Sequence, residues 1–399
     1  MTMAAPRSSR PTLITVSPWC ERSGAPICAL RHAELLRPDF AESILALNAH
    51  GILEDDAHAI GLPVWCTPFG GKGFRKMPKW KRLLRPDVAL SVLLARFRYA
   101  RRLARLIRQK GPGAIVHIHS MAEHLPWTLL GARRGGARIF VTLHEPWKGG
   151  RQEERWARQI GQAAEKVVFL SRDAPNRYPA HLREKSVVIP NSMVLPSDDD
   201  CQAQAALRDQ RTTDNAPIRL SLVGHLYLGK GIDIFLRTCG LLKRRGIPFQ
   251  ASLVGGSDPT MDAQVRDWLR TENLEVGRDI LLCGERGDMP AVYADTDILV
   301  SASRRDSFPR VIMEAMGYGL PVVATAVDGV PEMVADGQTG ILVPSENPEA
   351  MADAIARLAA EPSLRRQLGA AGRQRARTLF DPSAYRRNML ALYGLEPAP

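Results

Sequence analysis

The sequence predicts an α/β protein made of two Rossmann-like, doubly wound domains in tandem, finished by C-terminal helices. Three observations point there. Short β-branched runs alternate with helical patterns along the chain. The runs are apolar almost end to end, as strands covered on both faces must be. Finally, 399 residues exceed what one hydrophobic core supports, so two are expected.

The first strand, at 12–16, precedes a helical stretch at 26–36, and strands follow at 43–47, 114–118, 139–143, 166–170 and 186–190. Between them 88–110 reads as an amphipathic helix whose Leu90, Leu93, Leu94, Phe97, Ala104 and Ile107 share a face expected to pack on the sheet. From 196 to 216 the chain turns polar, with Asp198, Asp199 and Asp200 and then Thr212, Thr213, Asp214 and Asn215, and reads as a linker. Strands resume at 218–223, 250–254, 280–283, 297–300, 321–324 and 340–343; helices at 350–358 and 363–393 follow, broken near Pro362 and Pro382. The expected domains are therefore 1–195, a linker at 196–216, 217–375, and a C-terminal helix at 376–399 packing back on the first domain. Open α/β sheets bind ligands beyond the carboxyl ends of their strands, so the two domains are expected to face a central cleft.

With 45% hydrophobic and 24% charged residues the chain is not of disordered composition. Its 54 Lys and Arg against 42 Asp and Glu leave a formal charge of +12, which implies an anionic partner. The six cysteines are scattered without a C-x-x-C pair, so a reducing compartment and no structural zinc are expected. The apolar run at 13–16 is too short for a signal-peptide core, and no run of about 18 apolar residues offers a membrane span. A soluble or peripheral cytoplasmic protein is the expectation.

The most informative segment follows the strand at 297–300. Asp306 lies in the loop and Glu314 eight residues later, about one turn into a helix opening near Pro309. Two acids so placed can grip different hydroxyls of one extended ligand. Backbone N–H groups around Phe308, Pro309, Arg310 and Val311, at the positive end of the helix, suit a diphosphate.

Asp306-x7-Glu314, the run 314–325 (EAMGYGLPVVAT), 328–332 (DGVPE) and the loop 224–233 (GHLYLGKGID) resemble family 4 glycosyltransferases. The resemblance is strong over 218–345 and weaker in the first half. It implies the GT-B fold, a nucleotide-sugar donor and retention of anomeric configuration. Carried over by position, it implies that Asp306 holds donor-sugar hydroxyls, Glu314 the ribose, and Lys230 with His225 the diphosphate. Two positions depart from the family pattern: His225 stands where an Arg is common and Asp306 where a Glu is usual.

In the first domain, Gly24 follows the first strand and resembles the family's glycine loop near the diphosphate. His144, in the run 141–146 (VTLHEP), matches a pattern that places a histidine near the transferred sugar. The resemblance implies front-side attack, with a donor phosphate oxygen taking the acceptor proton; Lys230, His225 and the helix dipole can stabilise the leaving charge without metal, so no metal or other cofactor is expected. Asp295 and Asp297 match a D-x-D pattern that binds manganese in another architecture; their place between helix and strand fits a turn role. His117 and His119 alternate on one strand without an evident third ligand. Side chains of the segment 283–289, where relatives hold the base, cannot name it.

From 70 to 111 there are fourteen Lys or Arg against one acid, Asp87. Lys72, Arg75, Lys76, Lys79, Trp80, Lys81 and Arg82, with the helix arginines Arg98, Arg102, Arg105 and Arg108, read as a patch for anionic lipid. A peripheral position on the inner face of the cytoplasmic membrane, beside a glycan or lipid-linked acceptor, is therefore expected. The alternatives are a nucleotide-sugar 2-epimerase of the same fold and a basic nucleic-acid-binding protein. No recognised nucleic-acid motif accompanies the charge, so nucleic acid is not an expected partner.

Overall fold

The computed structural model describes residues 10–69, 86–121, 123–211 and 216–398. The basic loop residues Lys72, Arg75, Lys76, Lys79, Trp80, Lys81 and Arg82 lie outside them. The chain forms two units: Met1–Ile189 with Ser383–Pro399, and Pro190–Pro382.

In the first unit seven parallel strands line up as β3-β2-β1-β4-β5-β6-β7. They are β1 (Thr12–Val16), β2 (Glu42–Leu47), β3 (Val64–Cys66), β4 (Ile115–His119), β5 (Arg138–Leu143), β6 (Lys166–Phe169) and β7 (Ser186–Val188). Helices α1 (Gly24–Leu36), α2 (Ile52–Ala59), α3 (Pro86–Gln109), α4 (Leu125–Gly135), α5 (Arg151–Ala163) and α6 (Ala180–Arg183) connect them. Because side chains alternate across a strand, β1 sends Ile14 and Val16 into one core and Leu13 into another. The chain's last helix fills the second core: Met389, Leu390 and Tyr393 are fully buried against Leu13, Ile115 and Phe140.

The second unit repeats the plan with six parallel strands ordered β10-β9-β8-β11-β12-β13. They are β8 (Ile218–Val223), β9 (Phe249–Val254), β10 (Ile280–Gly284), β11 (Ile298–Ser301), β12 (Val322–Thr325) and β13 (Ile341–Val343). Its helices are α7 (Asp198–Arg211), α8 (Ile232–Arg244), α9 (Pro259–Thr271), α10 (Met289–Ala294), α11 (Arg310–Gly317), α12 (Val330–Met333), α13 (Pro348–Ala360) and α14 (Pro362–Leu379). The closing helix α15 (Pro382–Tyr393) belongs to the first unit. In each sheet the connections leave the central pair, β1 and β4 or β8 and β11, in opposite directions, which opens a crevice at their carboxyl ends.

Two expectations are corrected. The stretch 196–216 is mostly helix α7, packed in the second unit: Cys201 is buried with its thiol on the Gly317 carbonyl, and Asp198 pairs with Arg373 at 2.8 Å. Three acids in the first turn, and the Ser197 hydroxyl accepting the Asp200 N–H, are helix-start chemistry, so a polar composition concealed a helix. On α3 the expected apolar face divides. Ala104 and Ile107 are buried beside Tyr99, Ala100 and Leu103, whereas Leu90, Leu93, Leu94 and Phe97 are 57%, 51%, 44% and 38% exposed. Val92 is buried in the first half of the helix, but the continuous buried face lies in its second half.

Candidate functional site

In the second unit the site grows from the ends of β8 and β11. Beyond β8 the chain runs through Gly224 to Gly231, which starts α8 with φ +69. A Cβ there would sit 1.9 Å from the Ala302 carbonyl oxygen, so glycine alone lets the loop lie against the end of β11. That approach delivers Lys230, whose Nζ donates to Asp306 Oδ2 at 2.6 Å. Both side chains are mostly covered, at 21% and 15% exposure. Burial works against the ammonium, but the charge and hydrogen bond of Asp306 outweigh it, and the Lys230 pKa is raised above its ordinary value. Lys230 is a permanent cation at neutral pH.

Arg304 pins the same loop from below. Its N–H donates to the Gly229 carbonyl at 2.9 Å and Nη1 to the Leu228 carbonyl at 2.5 Å. The guanidinium grips Asp233 through two bonds of 2.8 Å and also reaches Glu346. Asp306 is held in turn: its N–H donates to Asp328 Oδ2 at 2.8 Å, with Asp328 at φ 45, a conformation Asp tolerates.

Glu314 lies one turn into α11. Its Oε2 accepts from the Tyr293 hydroxyl and its Oε1 from Arg310, both at 2.6 Å. Burial first, then the adjacent Glu314, raises Tyr293 well above its ordinary value, so it stays a donor. At the front of α11 the N–H groups of Ile312 and Met313 fold back on the Pro309 carbonyl. Those of Arg310 and Val311, both half-buried, sit at the positive end of the helix after the buried Phe308 and Pro309. His225 is exposed and lies nearly parallel to Tyr227, ring centroids 6.3 Å apart. The structure thus joins Lys230 to Asp306 and Glu314 to Arg310, while His225 shares the loop without bonding to either acid among the described residues.

The paired acids Asp295 and Asp297 lie at the opposite, amino end of β11. Asp295 binds Arg211 and Arg219, and Asp297 accepts the Arg219 N–H at 2.9 Å. That is a turn role.

In the first unit, Gly24 opens α1 with nothing within 4 Å of an added Cβ, so the chain's own packing does not demand glycine there. His144 follows β5 and its Nε2 meets His119 Nδ1 at 2.9 Å. Behind them His117 bonds Tyr393 at 2.5 Å and Thr142 at 2.7 Å, and His32 bonds Tyr385 at 2.8 Å and Tyr393 at 2.9 Å. Burial drives His144 and His32 down to about 3, so these rings are neutral at pH 7. His117 and His119 thus sit in a hydrogen-bonded histidine–tyrosine network that ties α15 to the sheet.

Sequence reasoning missed Glu145, beside His144. Its carboxyl is buried, bonded to the Ser120 hydroxyl, and pushed up to about 7 chiefly by burial; its Oε2 has no partner among the described residues. Ser120 at φ 82 marks the strained turn that holds it. Arg304 and Tyr293 were also missed, and Asp233 and Asp328, though inside the quoted motifs, were given no role, since each acts on a residue distant in sequence.

A family model described as Glycosyl transferases group 1 matches residues 217–361, and one described as Glycosyltransferase Family 4 matches 63–193. The GDP-mannose-dependent alpha-(1-6)-phosphatidylinositol monomannoside mannosyltransferase of Mycolicibacterium smegmatis is 29% identical over 268 residues, 62% of this chain and 68% of that protein. The D-inositol 3-phosphate glycosyltransferase of Corynebacterium glutamicum is 32% identical over 178 residues, 44% of this chain and 42% of that protein. The matched stretch thus spans less than half of the second relative. Anabaena Alr3699/HepE, solved with UDP and glucose, superposes with TM-score 0.77 at 17% identity over 96% of this chain and 99% of that one. Sucrose-phosphate synthase from Thermosynechococcus elongatus gives 0.65 at 20% identity over 96% and 98%. These likenesses show the GT-B fold. Both family models describe transferases, and an epimerase is not favoured.

Proposed function

Because the chain belongs to the glycosyltransferases, with a group 1 model over 217–361 and a family 4 model over 63–193, we propose that it moves a sugar from a nucleoside-diphosphate donor to a glycan or lipid-linked acceptor, with retention. One observation carries this reading: the Lys230–Asp306 contact of 2.6 Å at the carboxyl ends of two neighbouring strands. It sets a fixed cation for the diphosphate beside an acid for the sugar hydroxyls. Relatives support the donor class, one named for GDP-mannose and one solved with UDP and glucose.

As the bond between the sugar C1 and the phosphate oxygen breaks, negative charge grows on the leaving diphosphate. In this reading Lys230, the N–H groups of Phe308, Arg310 and Val311, and His225 receive it. Glu314, oriented by Tyr293 and Arg310, takes the ribose hydroxyls. The acceptor oxygen forms the new bond to C1 on the face the phosphate leaves, and its proton passes to the departing phosphate oxygen. Every cation in this scheme belongs to the chain, so no resident metal is invoked. Thermal unfolding with a panel of UDP-, GDP- and ADP-sugars tests the donor: one member raises the midpoint in wild type but not in Lys230→Ala. Equal shifts in both would remove Lys230 from the site.

The acceptor side is read as meeting an anionic bilayer. On α3 the exposed Leu90, Leu93, Leu94 and Phe97 recur at i, i+3, i+4 and i+7, with exposed Arg98, Arg101, Arg102 and Arg105 alongside. Apolar residues entering the interface and arginines meeting acidic headgroups suit such a surface. No helix among the described residues is long and apolar enough to cross a membrane. Sedimentation with phosphatidylglycerol vesicles is expected for wild type and lost in Leu93→Glu/Phe97→Glu; unchanged binding by that variant would refute the assignment.

A further inference from the structure

The second unit holds a hollow at the end of its sheet opposite Lys230 and Asp306. It is a cavity of ≈ 420 Å³ between α7, α14 and the turn after α11. Asp297 and Pro321 on its wall directly precede β11 and β12, which places it at the amino ends of those strands.

Five arginines line it, Arg208, Arg365, Arg366, Arg373 and Arg377, against three aspartates. The acids do not balance them. Arg373 and Arg377 share the single carboxylate of Asp198, Asp209 pairs with Arg366 at 3.3 Å, and Asp297 is turned to the Arg219 N–H and to Arg211. Arg365 spends its hydrogen bonds on the Leu358 and Ala359 carbonyls, at 2.6 and 3.1 Å, and makes no ion pair with a carboxylate among the described residues. Arg208 donates to the Tyr318 carbonyl at 3.3 Å. Burial lowers the pKa of Arg365 even with the charge of Asp297 acting to raise it, the mark of a guanidinium held at a solvation cost. Between the arginines the wall is apolar, with Tyr318, Pro321, Pro362 and Ala370.

We propose that this cavity is a ligand site for a small organic anion, a phosphate or carboxylate carried on an apolar body, separate from the donor site. Its volume is that of an ordinary small-molecule pocket, and guanidiniums are the donors that bind such oxyanions in pairs. The site also lies near the donor machinery: Tyr318 on its wall stacks on Tyr293, centroids 5.2 Å apart, and Tyr293 donates to Glu314.

The test is calorimetric titration of the full chain with phenyl phosphate. Saturable one-to-one binding is expected, about tenfold or more weaker in Arg365→Gln and in the cavity-filling Ala370→Trp, and unchanged in Lys230→Ala. Ala370 is exposed, so its replacement leaves the fold intact if removal of an Arg365 carbonyl bond does not. Three results would overturn the site: no saturable binding, binding that survives both cavity variants, or binding abolished by Lys230→Ala alone, which would place the phosphate on the donor loop. None of these depends on the sugar-transfer reading.

Discussion

Lys230 and Asp306 stand 76 positions apart and meet at 2.6 Å, so the resting site already holds its cation against its acid. A diphosphate entering beside Lys230 must compete with that carboxylate. Asp306→Asn removes the competitor while keeping the shape. Nucleoside diphosphate is then expected to bind as tightly or more tightly, while sugar transfer falls by about a hundredfold or more, because the hydroxyl contact weakens in the transition state. Calorimetry with UDP and GDP, set beside turnover, separates the two effects.

Arg304 is expected to govern donor affinity without touching donor. Its two bonds to Asp233 and its bonds to the loop carbonyls fix where Lys230 sits. Arg304→Leu would leave Asp233 partly buried and unpaired, costing roughly 2–3 kcal/mol of stability. Denaturant unfolding reads that loss, and Arg304→Lys, which restores charge without the fork, is expected to recover only part of it.

Gly231→Ala is a sharper probe of the same loop. The added methyl collides with the Ala302 carbonyl and is strained at φ +69. A destabilisation above about 1 kcal/mol is expected together with weakened nucleotide binding. Gly24→Ala, with open space around it, is expected to leave stability unchanged and to report only on ligand approach.

Acid should undo the first unit before the second. His32, His117, His119, His124 and His144 are all held below their ordinary value of 6.5, by burial first and for the first three by neighbouring histidines as well. Their unfolded forms take up protons that the folded forms refuse. The associated stability is therefore full above pH 6.5 and lost as pH falls toward the folded values, about 4 for His124 and about 3 for His32 and His144. Glu145 acts in the opposite sense: raised from 4.5 to about 7, it contributes fully below 4.5 and loses that contribution as pH rises through 7. Five groups against one leave a net loss on acidification. Scanning calorimetry from pH 7 to pH 5 should move the transition of the histidine-rich unit much more than that of the other, whose one histidine is the exposed His225.

The strands were legible because each is a short apolar run; 12–16 and 218–223 coincide with β1 and β8. The three-residue edge strand β3 was not, having no periodicity to show. Helix α7 hid behind its polar composition, and the amphipathic period of α3 could not say which part of its length finds a partner. At the site, Lys230, Asp306 and Glu314 stood out by their spacing and family pattern. Arg304, Tyr293 and Glu145 did not, because nothing local tells Arg304 that Asp233 lies beneath it or tells Glu145 that it will be buried.

Titrating UDP- and GDP-sugars into wild type and Lys230→Ala by calorimetry probes the grip on the donor most directly. One nucleotide sugar is expected to bind the wild-type chain, and to bind the variant about a hundredfold more weakly, with its unfolding midpoint preserved. Equal affinity in the two proteins, or no binding by any member of the panel, would contradict a donor site built on Lys230 and Asp306.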